Sequence, residues 1–286
     1  MNIMKFKIWY FVFSLLIILP GLYFLITSGL KLGIDFTGGA LLEYKFEKQI
    51  NLDDLRIYGQ VTPSDNNTYI IRSKPLEQTE INNIKNDLTN KYGKVEERRV
   101  ENVGPVIGAE LSKKAAIAVI LASIVIVLYI AFSFRKVPKP QASWRFGVAA
   151  VVALMHDILV VVGVFAILGK LLGVEIDTLF VTALLTVIGF SVHDTIVVFD
   201  RIRENSIKHM GKKFIDIANL SVIQTLGRSL NTSLTVVFVL IALLLFGGET
   251  IKWFVVALLV GIISGTYSSI FNATALLVWW EERLGH

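Results

Sequence analysis

The chain has 286 residues, of which 54% are hydrophobic and 18% are charged, and its formal net charge is +5. This hydrophobic share is above what a soluble domain of similar length normally carries, so the composition favours a membrane protein. The sequence contains no cysteine, which excludes disulfides, thiol chemistry and cysteine-ligated metal sites.

Six apolar stretches come close to the ~20 residues that cross a bilayer as an α-helix. They are continuous rather than alternating, which favours helices over the strands of a membrane β-barrel. The first is too long for the apolar part of a signal peptide and no A-x-A-like site follows it, so it is interpreted as a retained anchor. The sequence thus predicts an α-helical polytopic membrane protein with six transmembrane helices, at about Ile8–Leu30, Ala115–Phe134, Trp144–Leu168, Thr178–Phe199, Ser229–Phe246 and Trp253–Trp280.

The basic residues lie mainly in alternate connections between these spans, and such residues favour the cytoplasmic side of a membrane. We therefore predict that both termini are cytoplasmic and that residues 31–113 are extracytoplasmic. Because the connections account for the positive charge, it gives no reason to expect nucleic-acid binding. The basic groups are Lys5 and Lys7 before the first span, Arg135, Lys136, Lys139 and Arg145 after the second, and Arg201, Arg203, Lys208, Lys212, Lys213 and Arg228 after the fourth.

The segment between the first two spans, residues 31–113, contains most of the polar variety. Its alternation of predicted strands and helices indicates a small α+β domain with a helix layer on a sheet, which we assign as ferredoxin-like. The domain division is 1–30 for the N-terminus and first span, 31–113 for this domain, and 114–286 for a five-helix bundle. The predicted strands are Leu41–Phe46, Thr68–Arg72 and Val95–Val103, and the predicted helices are Asn51–Tyr58 and Glu77–Tyr92.

Two glycine-rich segments flank this domain, GIDFTGG at Gly33–Gly39 and VGPVIG at Val103–Gly108. The first lacks the spacing and the Lys-Ser/Thr pair of a phosphate-binding P-loop. Glycine permits positive φ and close backbone approach, so both segments are predicted to be hinges. The proposed hinge positions are Gly33, Gly38, Gly39 and Gly104.

An acid and a base occur in two successive apolar runs: Asp194 lies inside the fourth, and Arg228 opens the fifth. A charge at bilayer depth costs about 2.5–3.5 kcal/mol on insertion scales, so such residues usually pair in the bundle interior. If these spans are antiparallel, both residues lie near the same cytoplasmic level, Asp194 roughly 8 Å into the membrane. We predict that they pair and move charge. The alternative is a structural ion pair that only holds two helices together.

Polar residues at helical spacing extend this predicted site. Arg228, Asn231, Thr232 and Thr235 share one face of the fifth span, and Ser191, Asp194 and Thr195 are expected to form a matching patch on the fourth. His193 titrates near working pH and is a candidate for passing a proton, against the alternative of a packing histidine. The alternative for the whole set is ordinary helix packing through small residues. The predicted relay residues are Asp194, Arg228, His193, Thr195, Asn231 and Thr232.

The third span carries His156 and Asp157 near its middle. No HExxH-like metal spacing surrounds His156, so a neutral, hydrogen-bonded imidazole is predicted. His156, Asp157, Ser191 and Thr235 form a secondary set of intramembrane polar residues. With no nucleophile–base pair and no metal set in the sequence, we expect no enzymatic activity, no metal and no cofactor.

Several longer motifs resemble a known family. GIDFTGG, VGPVIGAEL before the second span, and IGFSVHDTIVVFDRIREN at Ile188–Asn205 are similar to the SecD/SecF family of protein-export membrane proteins. RSLNTSLT at Arg228–Thr235 and GTYSSIFNA at Gly265–Ala273 are similar to it as well. The resemblance covers the whole chain, and the short segment between the first two spans is typical of the smaller member.

The resemblance implies an accessory subunit of the bacterial Sec translocon, in a fold similar to resistance-nodulation-division transporters. With SecD, such a subunit uses the proton-motive force or a sodium gradient to promote preprotein translocation and release on the outer side of the inner membrane. Asp194 matches the family's transport-linked aspartate and Arg228 its essential arginine. The residue before that aspartate is commonly asparagine in the family, whereas it is His193 here.

The resemblance also implies partners. These are SecD in an obligate complex, the Sec translocon channel, YajC and YidC-type proteins, translocating preproteins and membrane lipid. The alternative function is a half-size small-molecule exporter of the resistance-nodulation-division type. Six spans and one small domain disfavour a self-sufficient pump.

Overall fold

The computed structural model describes residues 3–64, 66–134 and 143–283. Within these ranges, six helices are long and apolar enough to cross a membrane, so the six predicted spans are confirmed. The chain divides into two compact units: one is Leu32–Ile117, and the other combines the first helix with the residues from Ala118 onward. The basic connection predicted around 135–139 lies outside the described residues.

The membrane helices run beyond the apolar stretches that predict them, because polar residues at a helix end keep their backbone hydrogen bonds within the helix. A 3-10 turn, Ile3–Phe6, leads into the first helix, and a π-helical turn, Ser268–Asn272, interrupts the sixth span. In chain order the elements are α1 (Lys7–Ser28), α2 (Ile34–Thr37), β1 (Gly39–Phe46), α3 (Leu52–Arg56), β2 (Gln60–Pro63), β3 (Thr68–Ser73), α4 (Gln78–Tyr92), β4 (Val95–Val103), α5 (Pro105–Ser133), α6 (Ser143–Leu172), α7 (Thr178–Lys208), α8 (Phe214–Phe246), α9 (Glu249–Tyr267) and α10 (Ala273–Arg283).

The centre of the membrane bundle is formed by α6, α7 and α9. Half of the apolar part of α6 and of α7 is buried, compared with 11% for the first span and 6% for α5. Glycines bring α9 against α7: a Cβ atom at Gly261 would lie 2.2 Å from Val187 Cγ2, and one at Gly265 would lie 3.0 Å from Ser191 Cβ. The face of the sixth span that carries Gly261 and Gly265 therefore packs on α7.

The unit Leu32–Ile117 is a four-stranded antiparallel sheet with the strand order β2-β3-β1-β4. Its core combines sheet residues such as Leu42 and Ile71 with Leu55 of α3 and Leu88 of α4. The three predicted strands and two predicted helices are present. The strand β2 was not predicted, because Gln60–Pro63 is a short and largely exposed edge strand without apolar alternation.

The helices α3 and α4 of this unit begin at the residues that the sequence indicates. The Asn51 side chain accepts a hydrogen bond from the Asp53 backbone N–H at 3.1 Å, which caps α3. Glu77 and Glu80 form a reciprocal capping box at the start of α4, and Gly93 ends that helix.

The segment GIDFTGG forms the single turn α2 followed by two glycines with positive φ, +73° at Gly38 and +141° at Gly39. A Cβ atom at Gly38 would lie 2.8 Å from Pro105 Cα, and one at Gly39 would lie 2.9 Å from the Ser73 carbonyl oxygen. Both positions therefore require glycine. Gly104 does not, since a Cβ atom there would meet nothing within 4 Å, and Gly33 has a negative φ of −77°.

Candidate ion-coupling site

Asp194 lies in the interior of the bundle, at the contact of α7 with α8, and is 3% exposed. Its carboxyl group has Ser229 and Ser233 of α8 beside it, both of them buried. Within the described residues, neither Asp194 Oδ2 nor Ser229 Oγ makes a hydrogen bond. The helix that faces this acid therefore offers it hydroxyl groups rather than a positive charge.

Arg228 forms no ion pair with Asp194 in the described part of the chain: the groups that act on this carboxyl are His193, Ser229 and Ser233, so the predicted pair within this chain is wrong. Successive residues of a helix point about 100° apart. Because Ser229 takes the position that faces α7, Arg228 is exposed, on the wall of a cleft of about 320 Å³ that Asp200 and Glu204 also line. Equal depth in the membrane does not determine the partner of Asp194, since the rotation of α8 decides which side chain meets the acid.

The predicted polar stripe on α8 exists, but it is turned outward. Asn231, Thr232 and Thr235 are exposed together with Arg228. The threonine hydroxyls donate to their own helix, Thr232 Oγ1 to the Arg228 carbonyl at 3.0 Å and Thr235 Oγ1 to the Thr232 carbonyl at 2.7 Å. His193 is likewise exposed, on α7. These residues form a polar surface of the chain rather than a path through its interior.

Ser191 and Thr195 do not share the contacts of Asp194, which corrects the patch predicted on the fourth span. Thr195 Oγ1 donates to Ser269 Oγ at 2.7 Å, and Ser191 Oγ donates to Asp157 Oδ2 at 2.5 Å. Residues at i, i+3 and i+4 spread over about 100° of a helix. Asp194 at one edge of this arc faces α8, Thr195 at the other edge contacts the π-helical turn, and Ser191 between them contacts α6.

Asp157 is the centre of a second polar cluster and is fully buried. Its Oδ1 accepts a hydrogen bond from Ser264 Oγ at 2.8 Å, and its Oδ2 accepts from Ser191 Oγ at 2.5 Å and from Ser268 Oγ at 2.7 Å. His156 Nδ1 lies 2.9 Å from Oδ1. The cluster therefore joins three spans through one carboxylate.

The imidazole of His156 bridges this carboxylate to α1. Its Nε2 lies 3.0 Å from Ser14 Oγ, which also accepts a hydrogen bond from Asn272 Nδ2 at 2.7 Å. His156 is thus hydrogen-bonded within the bundle, as its sequence context predicts.

Most of the serines around Asp194 and Asp157 were not predicted from the sequence. Pairs at i, i+4 lie on one face of a helix, and this spacing was the available signal for the pairs on α8 and the sixth span. Ser14 has no comparable signal, because it is a single hydroxyl in an apolar run. The residues not predicted are Ser14, Ser229, Ser233 and Ser264.

Comparison with known families decides the relationship. The family model described as "Protein export membrane protein SecD/SecF, C-terminal" matches residues 83–283. The chain belongs to the SecD/SecF family. A second SecD/SecF family model, described as the "GG Motif", matches residues 23–50, which contain Gly38 and Gly39.

Other SecD/SecF proteins are similar to the chain over nearly its whole length. It is 49% identical to the protein translocase subunit SecF of Thermobaculum terrenum and 43% identical to that of Anaerolinea thermophila, and each comparison covers 99% of this chain and 94% of the relative. The crystal structure of SecDF from Thermus thermophilus, a translocon-associated membrane protein, matches with a TM-score of 0.86 at 33% identity. That match covers 99% of this chain and 39% of the SecDF chain.

Proposed function

We propose that this chain is a Sec protein-export subunit that works with SecD and uses the proton-motive force, or a sodium gradient, to promote preprotein translocation and release on the outer side of the membrane. The observation that carries the proposal is Asp194, an acid buried within the bundle with two serines of α8 beside it. The names of the relatives, protein translocase subunit SecF, support the class of activity.

Hydrogen bonding around Asp194 suits a carboxyl group that is protonated in the present conformation. Thr266 Oγ1 donates to the Ile262 carbonyl at 2.8 Å, so Ser233, 2.6 Å away, donates its own hydrogen to Thr266. Ser233 Oγ is then left as an acceptor, which a protonated Asp194 satisfies. An ionised Asp194 would be a buried charge with no lysine or arginine paired to it among the described residues, which costs several kcal/mol.

The ionised form needs a cation, and the chain places its intramembrane arginine on the surface. Arg228 is exposed on α8 beside Asp200 and Glu204, and the polar stripe that follows it is exposed where lipid would offer no polar partner. We therefore place SecD against the α7–α8 face, with a SecD acid meeting Arg228. Assembly then brings a charged network next to Asp194, so that protonation of one acid changes the balance of charge at the interface.

The energy available to such a switch is sufficient. One elementary charge that crosses the full membrane potential supplies about 2.3 kcal/mol per 100 mV. Two helix arrangements of similar stability would change their population ratio about fifty-fold with that energy. The exchange of a proton at Asp194 is therefore enough to drive a change of packing between α7 and α8.

The proposal places both termini in the cytoplasm of a bacterium and the unit Leu32–Ile117 on the outer side of its inner membrane. The β-α-β-β-α-β order of that unit supports a ferredoxin-like domain. Motion is transmitted to it through the joints at Gly33, Gly38, Gly39 and Gly104. Of these, Gly38 and Gly39 have the backbone conformation that supports a special role.

The relatives' names favour a translocase subunit over an enzyme and over the half-size small-molecule exporter. The further partners in this proposal are the translocon channel, YajC and YidC-type proteins and the preprotein in transit. Coupling by an ion rather than a structural ion pair is supported by the separation of Asp194 from Arg228, since the two side chains hold no helices together in this chain.

The test is the variant Asp194→Asn, produced with SecD in cells that lack the native chain. Pulse-chase labelling of a preprotein should show that stimulation of export is lost, while membrane insertion and copurification with SecD are retained. The matched control is Asp216→Asn, an exposed acid in the first turn of α8, which should export normally. Export at the wild-type rate by Asp194→Asn under an intact gradient would refute the proposal.

A further inference from the structure

The bundle contains a second buried acid that the coupling proposed for Asp194 does not use. Asp157 is held by serines of α7 and of the sixth span, whereas Asp194 faces α8. On the sixth span, Ser264 and Ser268 contact Asp157, but Thr266 between them contacts Ser233. The two acids therefore lie in separate polar clusters, with α7 and α9 contributing to both.

We propose that His156 and Asp157 form a second proton-binding site, in which one exchangeable proton enters and leaves through the hydroxyl group of Ser14. The inference rests on the proposed function, because it adds a second site to an ion-coupled subunit. The proton is held between two residues of one helix, so its exchange is felt at every helix that donates to the carboxylate.

Charge balance calls for a proton at this site. Each oxygen of Asp157 accepts two hydrogen bonds, which is the arrangement of an ionised carboxylate. Among the described residues in contact with Asp157, His156 is the group that can become a cation. With the extra proton on the imidazole, the pair is neutral overall, whereas without it an unbalanced charge is buried in the bundle.

Ser14 accommodates both states of the imidazole. A hydroxyl group has one donor and two acceptor positions, and its hydrogen rotates. While it accepts from Asn272, Ser14 Oγ either accepts from a protonated His156 Nε2 or donates to an unprotonated one, across the same 3.0 Å. No heavy atom has to move, which suits a proton that exchanges better than it suits a permanent ion pair.

The hydrogen-bonded chain from Asp157 through His156 and Ser14 ends at a groove of about 430 Å³ between α1 and α6. Ser14, His156 and Asn272 are the polar lining of this groove, and its other lining residues are apolar. Asn272 is 7% exposed, and its Oδ1 makes no hydrogen bond in the described part of the chain. This oxygen is buried, so Ser14 and His156 are the groups through which the groove gives access to the site.

The other ionisable groups near the pair have contacts of their own. The Tyr267 ring is 6.3 Å from the imidazole; its hydroxyl donates to the Tyr10 carbonyl and accepts from Ser14, while the Tyr10 hydroxyl donates to the Ile3 carbonyl. On α10, which also packs on α6, Glu281 pairs with Arg145 at 2.7 Å. Across the described ranges, no lysine or arginine contacts Asp157.

The experiment compares His156→Gln with His209→Gln in the full chain, reconstituted with SecD into liposomes. Glutamine keeps a donor for Asp157 and an acceptor for Ser14 but carries no exchangeable proton. We expect proton influx after an external acid step, followed with an entrapped dye, to fall to the level of empty liposomes. His209→Gln makes the same substitution at the residue that ends α7, outside both polar clusters, and should retain the influx.

A second measurement does not depend on the variants. In wild-type chain labelled with 15N-histidine, the His156 signals, identified by their loss in His156→Gln, should interconvert between the neutral and doubly protonated imidazole between about pH 5 and pH 8. A single protonation state across that range would overturn the inference, as would wild-type influx in His156→Gln.

The outcomes also separate this inference from the function on which it rests. If Asp194→Asn loses proton influx and His156→Gln keeps it, the second site is refuted and the coupling role of Asp194 stands. If both variants keep the influx, both proposals are refuted.

Discussion

Gly21 of α1 and Gly163 of α6 contact each other backbone to backbone. A Cβ atom at Gly21 would lie 2.7 Å from Gly163 Cα, and one at Gly163 would lie 2.9 Å from Gly21 Cα. The same two helices carry Ser14 and His156, whose side chains meet at 3.0 Å. The glycine contact therefore sets the spacing at which the hydroxyl of one helix reaches the imidazole of the other.

Gly163→Ala should separate α1 from α6, because the added methyl group has backbone rather than a flexible side chain in its way. Overpacking of this kind typically costs about 1–3 kcal/mol. Thermal unfolding of the purified protein in detergent should therefore shift to lower temperature. The matched control is Gly147→Ala in the same helix, where a Cβ atom would meet nothing within 4 Å. Equal stability of the two variants would contradict the packing argument.

Arg228→Ala should abolish the stimulation of export, because it removes the cation that the chain offers to its partner at membrane depth. Arg228→Lys should retain part of the activity, since a lysine keeps the charge but not the planar, bidentate geometry. Pulse-chase export assays with SecD present would measure both effects. Full export by Arg228→Ala would show that the exposed arginine has no role in coupling.

His193→Asn should have little effect on export. His193 is exposed on α7 and does not share the buried contacts of Asp194. The resemblance to the SecD/SecF family also implies asparagine at this position. The same export assay would check this, and a loss comparable to that of Asp194→Asn would instead give the imidazole a direct part in proton transfer.

Single cysteines at Asn66 and at Lys212 should react from opposite sides of the membrane. Asn66 lies in a turn of the unit Leu32–Ile117, and Lys212 lies in the connection between α7 and α8. The chain has no native cysteine, so each variant reports one position. A membrane-impermeant maleimide applied to intact cells should label the first and not the second. Labelling of both from one side would contradict the topology.

Tyr44→Phe should stabilise the unit Leu32–Ile117 at neutral pH by about 1 kcal/mol, because the tyrosine hydroxyl is buried without a hydrogen bond among the described residues. Burial, with a smaller contribution from Glu97, raises the pKa of Tyr44 to about 12. The pKa is higher in the folded than in the unfolded state. The ionisation of Tyr44 therefore leaves the free energy of unfolding unchanged below about pH 10 and lowers it as the pH rises towards about 12. Tyr44→Phe should not show this loss of stability at high pH.

Urea unfolding of residues 32–104 at pH 7 and at about pH 11 would measure both effects of Tyr44→Phe. Tyr69→Phe is the matched control in the same sheet. Its hydroxyl donates to the Ile50 carbonyl and accepts from the Ile50 N–H, each at 3.0 Å, so its removal should destabilise the unit. Destabilisation by Tyr44→Phe at neutral pH would show that its hydroxyl has a partner after all.

Much of the architecture could be predicted from local patterns. The six spans follow from the length of each apolar run, and α4 follows from Ile81 and Leu88 at helical spacing before Gly93. The shared face of Arg228 and Asn231 follows from the same periodicity. The strand β2 could not be predicted, because its pairing with β3 rather than any pattern of its own makes it a strand.

The partners of the polar side chains were decided by the tertiary structure alone. Periodicity shows which residues share a face, but the rotation of a helix about its axis is set by packing against its neighbours. The contact of Gly261 with Val187 belongs to that packing, and the rotation of α8 places Ser233 rather than Arg228 beside Asp194. The same holds for Ser14 and His156, which lie on distant parts of the chain and meet only because α1 packs closely on α6.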